Sequence, residues 1–290
     1  MEYHAQAALS HSKVKFFSEN FPRDFHDKYI AKKLEPEKPN EAFDIGHAVE
    51  ALLCGQDTFN ALVQVNRQWP DFKTAAARQW RDECRKNEIV PLSQDNETLV
   101  TRMRDAVMRN PDAAALIAAG TPQVTFRVKG KITDVQCRCD WWGHAGTVLP
   151  SDGKETGPYD CDLKSCASLA PSAFVGFEKH ALQLGYHHAA IWYRYVIRMV
   201  LAELAGEPAE SLPFVRRYFI AVDKKEWPSC CVYTLPEILL DTAERDLLAE
   251  DPPGTLPKLI ACLASGVWPD APTRKEIEVP KWMEPKGGLW

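Results

Sequence analysis

The feature that most constrains this chain is a change of hydrophobic period near residue 121. Before it, apolar residues recur at helical spacing. From 123 to 129 they alternate, with Val124, Phe126 and Val128 on one face, the pattern of a half-buried strand. Lys129-Gly130-Lys131 reads as a turn into a returning strand over residues 132–141. A polar loop rich in Gly and Pro leads to a third strand over 159–165. Helices are predicted over 172–184 and 186–204, broken near Gly185, then strands over 214–222 and 229–234 and a helix within 236–263. The Pro-punctuated tail reads as extended. Helices, a hairpin with a third strand, more helices and two further strands predict an α/β fold, a central mixed sheet flanked by helices with a helical N-terminal part.

That N-terminal part reads as follows. Ser10 and Ser12 precede Val14, Phe16 and Phe17, the signature of a capped short helix. Residues 42–54 place Phe43, Ile45, Val49, Leu52 and Leu53 at helical spacing, ended by Gly55. Residues 74–87 form a charged helix with Arg78, Arg81, Arg85 and Lys86. Helices over 95–109 and 112–119 follow.

Composition excludes several classes. The 290 residues are 45% hydrophobic with a net charge of −5, which argues against a uniformly basic nucleic-acid binder and leaves room for a local basic groove. No apolar run reaches the ~18 residues of a membrane span. No basic, apolar leader opens the chain, so a cytoplasmic protein is expected. The nine cysteines lack zinc-site spacing; Cys137 and Cys139 alternate as strand hydrophobes do. There is no GxxxxGK[ST] loop and no GxGxxG, so nucleotide cofactors are not expected.

The chemistry-bearing motif is Asp162-Leu163-Lys164 at the end of the third strand. Residues two apart on a strand face the same side, so Asp162 and Lys164 project together. Asp140 closes the neighbouring strand and can come alongside. Two hard carboxylates suit Mg²⁺, and a lysine beside them can orient a water and offset charge at a phosphate. For the triplet alone, a solvated ion pair at a strand end is the usual outcome. His47, on the 42–54 helix, offers an imidazole as a third ligand or lies on the helix surface. Trp141 and Trp142 read either as stacking groups or as packing. Arg78 and Arg81 read either as lining of a DNA channel or as a solvated face.

In order, these segments resemble the RecE/exonuclease VIII type of phage and prophage exonuclease, within the PD-(D/E)xK nuclease superfamily. Residues 8–17 resemble its Ser-x-Ser opening, and residues 46–53 its helix with a metal-binding His. Residues 137–140 resemble its strand ending in the first metal Asp, residues 162–165 its Asp-x-Lys-Ser/Thr motif, and residues 185–193 its Tyr-x-x-Gln-Ala-Ala-x-Tyr helix. The resemblance spans roughly residues 8 to 235. It implies a PD-(D/E)xK restriction-endonuclease-like core at about 121–235 within one domain over 1–290. A helical part at about 1–120 would precede it, and a C-terminal helix and tail at about 236–290 would follow.

It further implies an Mg²⁺-dependent exodeoxyribonuclease on ends of linear double-stranded DNA, with Mn²⁺ able to substitute, running 5′ to 3′ and leaving 3′ tails for recombination. His47, Asp140, Asp162 and the Leu163 carbonyl would hold metal, and Lys164 would position water. Ser12, Tyr186 and His188 would contact DNA. A ring-shaped homo-oligomer and a RecT-like annealing partner are implied too. Three departures stand out. Gln123 occupies a position where the family often has Glu. Asp152 and Asp160 lie in the long interval before Asp162 and compete for metal roles. His188 stands where Gln is usual. A degenerate DNA-binding or interaction version of the fold is the alternative. A RecB-like nuclease with an iron–sulfur cluster is another, but only Cys262 lies beyond residue 231, so no cluster is expected.

Overall fold

The hairpin that the alternating pattern predicts organises the molecule. The computed structural model describes residues 7–33, 40–170 and 176–273. In chain order the α-helices before the sheet are α1 (His11–Glu19), α2 (Pro22–Phe25, continued by a π-helical turn over His26–Ile30), α3 (Glu41–Leu53), α4 (Gln56–Leu62), α5 (Ala75–Lys86), α6 (Gln94–Arg109) and α7 (Pro111–Ala119). Two short strands, β1 (Val63–Val65) and β2 (Val90–Leu92), pair in parallel among them. The main sheet holds β3 (Thr121–Val128), β4 (Val135–Gly143), β5 (Tyr159–Cys166), β6 (Arg216–Asp223) and β7 (Cys230–Tyr233), side by side in that order. Helices α8 (Phe177–Gln183) and α9 (Tyr186–Ala205) connect β5 to β6, and α10 (Glu237–Leu248) and α11 (Thr255–Ser265) follow β7.

Strands β3, β4 and β5 form an antiparallel meander. The helical crossover makes β6 parallel to β5, and β7 returns antiparallel. The sheet is therefore mixed, as the element order implies. Alternation along the strands feeds two large cores and a smaller cluster of Cys166, Phe177, Ala181, Phe219 and Ala221. Phe126, Val128, Cys137, Cys139 and Trp142 pack against α1, α9, α10 and α11. Trp141, Tyr159, Cys161, Ile220 and Val222 pack against α3, α6 and α7. Trp141 and Trp142 are 1% and 7% exposed, so both are packing residues.

Several helix ends follow from local chemistry. Asn40, Thr74, Ser93 and Asn110 cap α3, α5, α6 and α7 by accepting the N3 backbone amide, each worth about 1 kcal/mol. Gly185 breaks α8 from α9 with φ of +72°, a conformation that favours glycine. The segment 236–263 holds two helices, because Pro252-Pro253-Gly254 interrupts it. The β1–β2 ladder and α4 carry no periodicity long enough to be read from sequence. Part of the helix expected over 172–184, and most of the extended tail, fall outside the described residues. No helix among the described residues is long and apolar enough to cross a membrane.

Candidate active site

The site lies where β4 and β5 part. Their ladder runs Gly143↔Tyr159, Trp142↔Asp160, Trp141↔Cys161 and then ends. The next register positions are Asp140 and Asp162. Beyond them several freed backbone groups find substitute partners. Leu163 donates its amide to Asp140 Oδ2 at 2.8 Å. On the β4 edge, Leu9 accepts from the Gln136 amide at 2.8 Å and donates to the Asp134 carbonyl at 2.8 Å. Trp192 Nε1 donates to the Gln136 carbonyl and the Tyr193 hydroxyl to the Arg138 carbonyl, both at 3.0 Å. The Ser-x-Ser opening and α9 thus fill the fork and satisfy the Gln136 amide and the Gln136 and Arg138 carbonyls.

Asp162 and Lys164 share a face as period two demands. Lys164 Nζ stands 2.5 Å from Asp162 Oδ2, and Arg217 Nη2 stands 2.8 Å from Asp162 Oδ1. Burial pushes the Asp162 carboxyl up, but Lys164 and Arg217 overcome it and hold it below the usual range. Arg217 also bonds Asp160, and its guanidinium stacks on the Tyr193 ring at 3.8 Å. Asp160 is 1% exposed. Burial raises its pKa against the pull of Arg217. Asp160 therefore completes a buried ion cluster under Asp162. Asp152 lies on an exposed turn with Lys154, apart from this group.

Asp140 is raised to about 8, first by burial and then by Glu50 and Asp162. Glu50 is the participant that sequence reasoning missed. It sits on α3 one turn after His47, and Gln123 donates its side-chain amide to Glu50 Oε1. Glu50 is itself raised by burial, with Arg138 and Lys164 opposing and Asp162 adding to the rise. Helix α3 passes the end of β5 at Gly46, where a Cβ would stand 3.6 Å from Ser165 Oγ. That crossing delivers Glu50 to the fork. Its spacing from His47 was the available signal, since residues three apart share a helix face.

Gln123 has a left-handed backbone, φ +56°, uncommon for a residue with a side chain. It lies opposite Asp140 at the one position where the β3–β4 ladder skips a pair. On β4, Cys139 faces one core and Trp141 the other, although residues two apart share a face in a regular strand. The alternation is broken at Asp140, opposite Gln123.

The other expected participants divide. His47 is exposed, with Asp44 and Arg138 as its charged neighbours. Tyr186 lies under Lys164, whose Nζ is 5.4 Å from the ring centroid. Ser12 is exposed and shares a 3.0 Å hydrogen bond with Ser10. His188 Nε2 is 3.6 Å from Asp246 Oδ2. It lines a cleft of about 420 Å³ with His11, Lys15, Gly185 and His187. His11 is within electrostatic reach of Arg217 and Asp162, its pKa lowered to about 3 by burial and then by Arg217. Arg81 is paired to Asp82 at 2.8 Å, and Arg85 forms a buried pair with Asp44 at 2.5 Å. Arg85 thereby anchors the helix that carries His47 and Glu50. Arg78 is exposed on the same helix, α5, which packs on β2.

Among the described residues, no three His, Cys, Asp or Glu side chains form a ready-made metal cage. The donor chemistry nonetheless suits Mg²⁺, which takes carboxylate and carbonyl oxygens. Glu50 and Asp162 together raise Asp140, a crowding of negative charge that a divalent cation would offset. Leu163 directs its amide into the fork, and a strand residue presents its carbonyl on the same edge as its amide.

No protein family matches the chain by sequence, and no curated protein does. A solved structure does match in fold: the crystal structure of a candidate exonuclease from Eubacterium rectale, with a TM-score of 0.57 and 14% sequence identity, covering 97% of this chain and 94% of that one. The chain therefore shares a mixed α/β fold with that protein over nearly the whole length of both.

Proposed function

We propose that this chain is a metal-dependent nuclease of the PD-(D/E)xK type, a hydrolase of phosphodiester bonds. The observation that carries the reading is the Lys164–Asp162 pair at 2.5 Å, with Asp140 at the end of the adjoining strand. The fold likeness to a candidate exonuclease supports it. Glu50, Asp140, Asp162 and the Leu163 carbonyl are the proposed ligands of Mg²⁺ or Mn²⁺, with His47 at the rim. A bound cation supplies a more acidic water and neutralises charge on the phosphate.

The chain's own residues do the rest. Lys164 has donors only, so it serves as a fixed cation beside the attacking water and the phosphate. Asp162 holds Lys164 charged, since its carboxylate and that of Asp140 raise the ammonium pKa against the effect of burial. Arg217 fixes Asp162 from beneath. Glu50 brings a carboxylate to the site where position 123 carries an amide, so the Gln123 departure leaves the acidic donors numerous enough for catalysis.

The proposed substrate is the end of linear double-stranded DNA, entering past Ser12, Tyr186 and the His188 cleft. RecE-like 5′-to-3′ action in a ring-shaped oligomer would hand 3′ tails to a RecT-like annealing protein. The test is incubation of linear and covalently closed duplex with Mg²⁺, beside EDTA and Lys164→Ala controls. Degradation of the linear form alone, abolished by both controls, supports the reading. Cutting of closed circles would make it an endonuclease, and an inert wild type would remove the nuclease reading.

A further inference from the structure

The loop between β6 and β7 holds a tryptophan out in water. Trp227 is 76% exposed, which is unusual for so large an apolar surface. The loop around it is nevertheless tightly fixed. Asp223 and Ser229 close its base through two hydrogen bonds, Asp223 N to Ser229 O at 3.1 Å and Ser229 N to Asp223 Oδ1 at 2.9 Å. Lys224 N donates to the Cys166 carbonyl at 2.9 Å. Arg102, from α6, donates to the Glu226 carbonyl at 3.1 Å and stands 5.1 Å from the Trp227 ring centroid. Pro228, the next residue, is buried. The backbone is thus ordered around an indole that gains little burial in return.

Its position links it to the candidate site. In the parallel β5–β6 ladder, Lys164 pairs with Ala221 and Cys166 with Asp223. The loop begins where β5 ends, about 7 Å along the strand from Lys164 at ~3.3 Å per residue. The charges nearby are Lys224, Lys225 and Arg102 against exposed Glu226. Asp223 lies buried beneath Lys225, 3.2 Å from its Nζ. An exposed aromatic face among cations, past the same end of β5 and β6 toward which the proposed catalytic lysine lies, matches how single strands are held: bases stack on the ring while Lys and Arg meet phosphates.

We propose that Trp227 is a stacking platform for an unpaired base, with Lys224, Lys225 and Arg102 meeting the adjoining phosphates, so that this loop binds single-stranded DNA next to the cleavage site. The inference rests on the nuclease reading for its setting, but base stacking itself needs no catalysis. A base inside a duplex is already stacked, so the platform selects the unpaired strand at an open or resected end.

The test is binding of a labelled single-stranded oligonucleotide, and of the same sequence as a blunt duplex, to the full chain in EDTA. Wild type, Trp227→Ala and Trp227→Tyr are compared by fluorescence anisotropy. Trp227→Ala should weaken single-strand binding about 10-fold or more, with a smaller loss on blunt duplex, while Trp227→Tyr retains most of it. Thermal unfolding should be unchanged, because the ring is exposed. Intrinsic fluorescence should show a quench on oligonucleotide binding that Trp227→Tyr lacks. Equal affinity of wild type and Trp227→Ala, or no binding by wild type, overturns the proposal. So does a change of oligomeric state in Trp227→Ala by sedimentation, which would assign the ring to a contact between copies. Hydrolysis of a small phosphodiester such as bis-p-nitrophenyl phosphate, too short to reach Trp227, separates the two ideas. An inert wild type that still binds oligonucleotide through Trp227 sinks the nuclease reading alone. An active wild type with a normally binding Trp227→Ala sinks only the platform.

Discussion

The side-chain amide of Gln123 donates to Glu50, and the same residue holds the left-handed turn opposite Asp140. One residue of β3 thus aims a carboxylate from α3 and sits across from the kink at a carboxylate of β4. A glutamate at position 123 would face Glu50 with like charge in a partly buried setting. An amide there allows the two acids to share the fork.

Gln123→Gly separates the two roles. Glycine adopts the left-handed backbone without steric cost, so stability should hold or rise by up to about 1 kcal/mol, despite the lost hydrogen bond. Glu50 loses its fixed donor, and Mg²⁺ or Mn²⁺ affinity by calorimetry should fall several-fold. Unchanged metal affinity would show that the Gln123 hydrogen bond to Glu50 has no part in cation binding.

Lys164→Ala should lower the single-turnover cleavage rate by on the order of 10²-fold or more, while end binding and metal binding stay near normal. Lys164→Arg should also be poor, because the planar guanidinium places its charge differently. Near-normal cleavage by the alanine variant would reduce Asp162-Leu163-Lys164 to a strand-end ion pair.

The metal-free protein should lose stability as pH rises toward 8. Asp140 is raised to about 8 in the folded state. Between the ordinary carboxylate value and 8, the folded chain therefore binds a proton that the unfolded chain does not, and stability falls with pH across that window. Asp162 has the opposite sign: its depressed pKa stabilises at neutral pH, and that contribution is lost only as pH falls below the usual carboxylate range. Denaturant midpoints in EDTA from pH 5 to 9 should therefore decline more steeply for wild type than for Asp140→Asn. Added Mg²⁺ should flatten the wild-type decline by replacing the proton.

Arg217→Met should destabilise by about 3–5 kcal/mol, because Asp160 and Asp162 would remain buried without their shared cation. Adding Asp160→Asn should recover part of that loss. Urea midpoints of the single and double variants give the comparison, and an additive result would place Asp160 outside the cluster.

Chain periodicity alone carried the meander, the crossover helices and the shared face of Asp162 and Lys164, since spacing of two or three to four residues is a property of the chain itself. It also put Asp140 beside that pair, because a hairpin returns its strand alongside. Trp141 and Trp142 showed the limit: both have the same alternatives in sequence, and burial on opposite faces of the sheet made both packing residues. Glu50, Arg217 and the left-handed Gln123 belong to tertiary structure. Glu50 reaches the fork only because α3 crosses the end of β5. Arg217 meets Asp160 and Asp162 only because α8 and α9 carry the chain over to a parallel strand. Arg217 leaves no local pattern and Glu50 only its spacing from His47, because each approach depends on how separate layers pack and on which buried charges must find a partner once water is excluded.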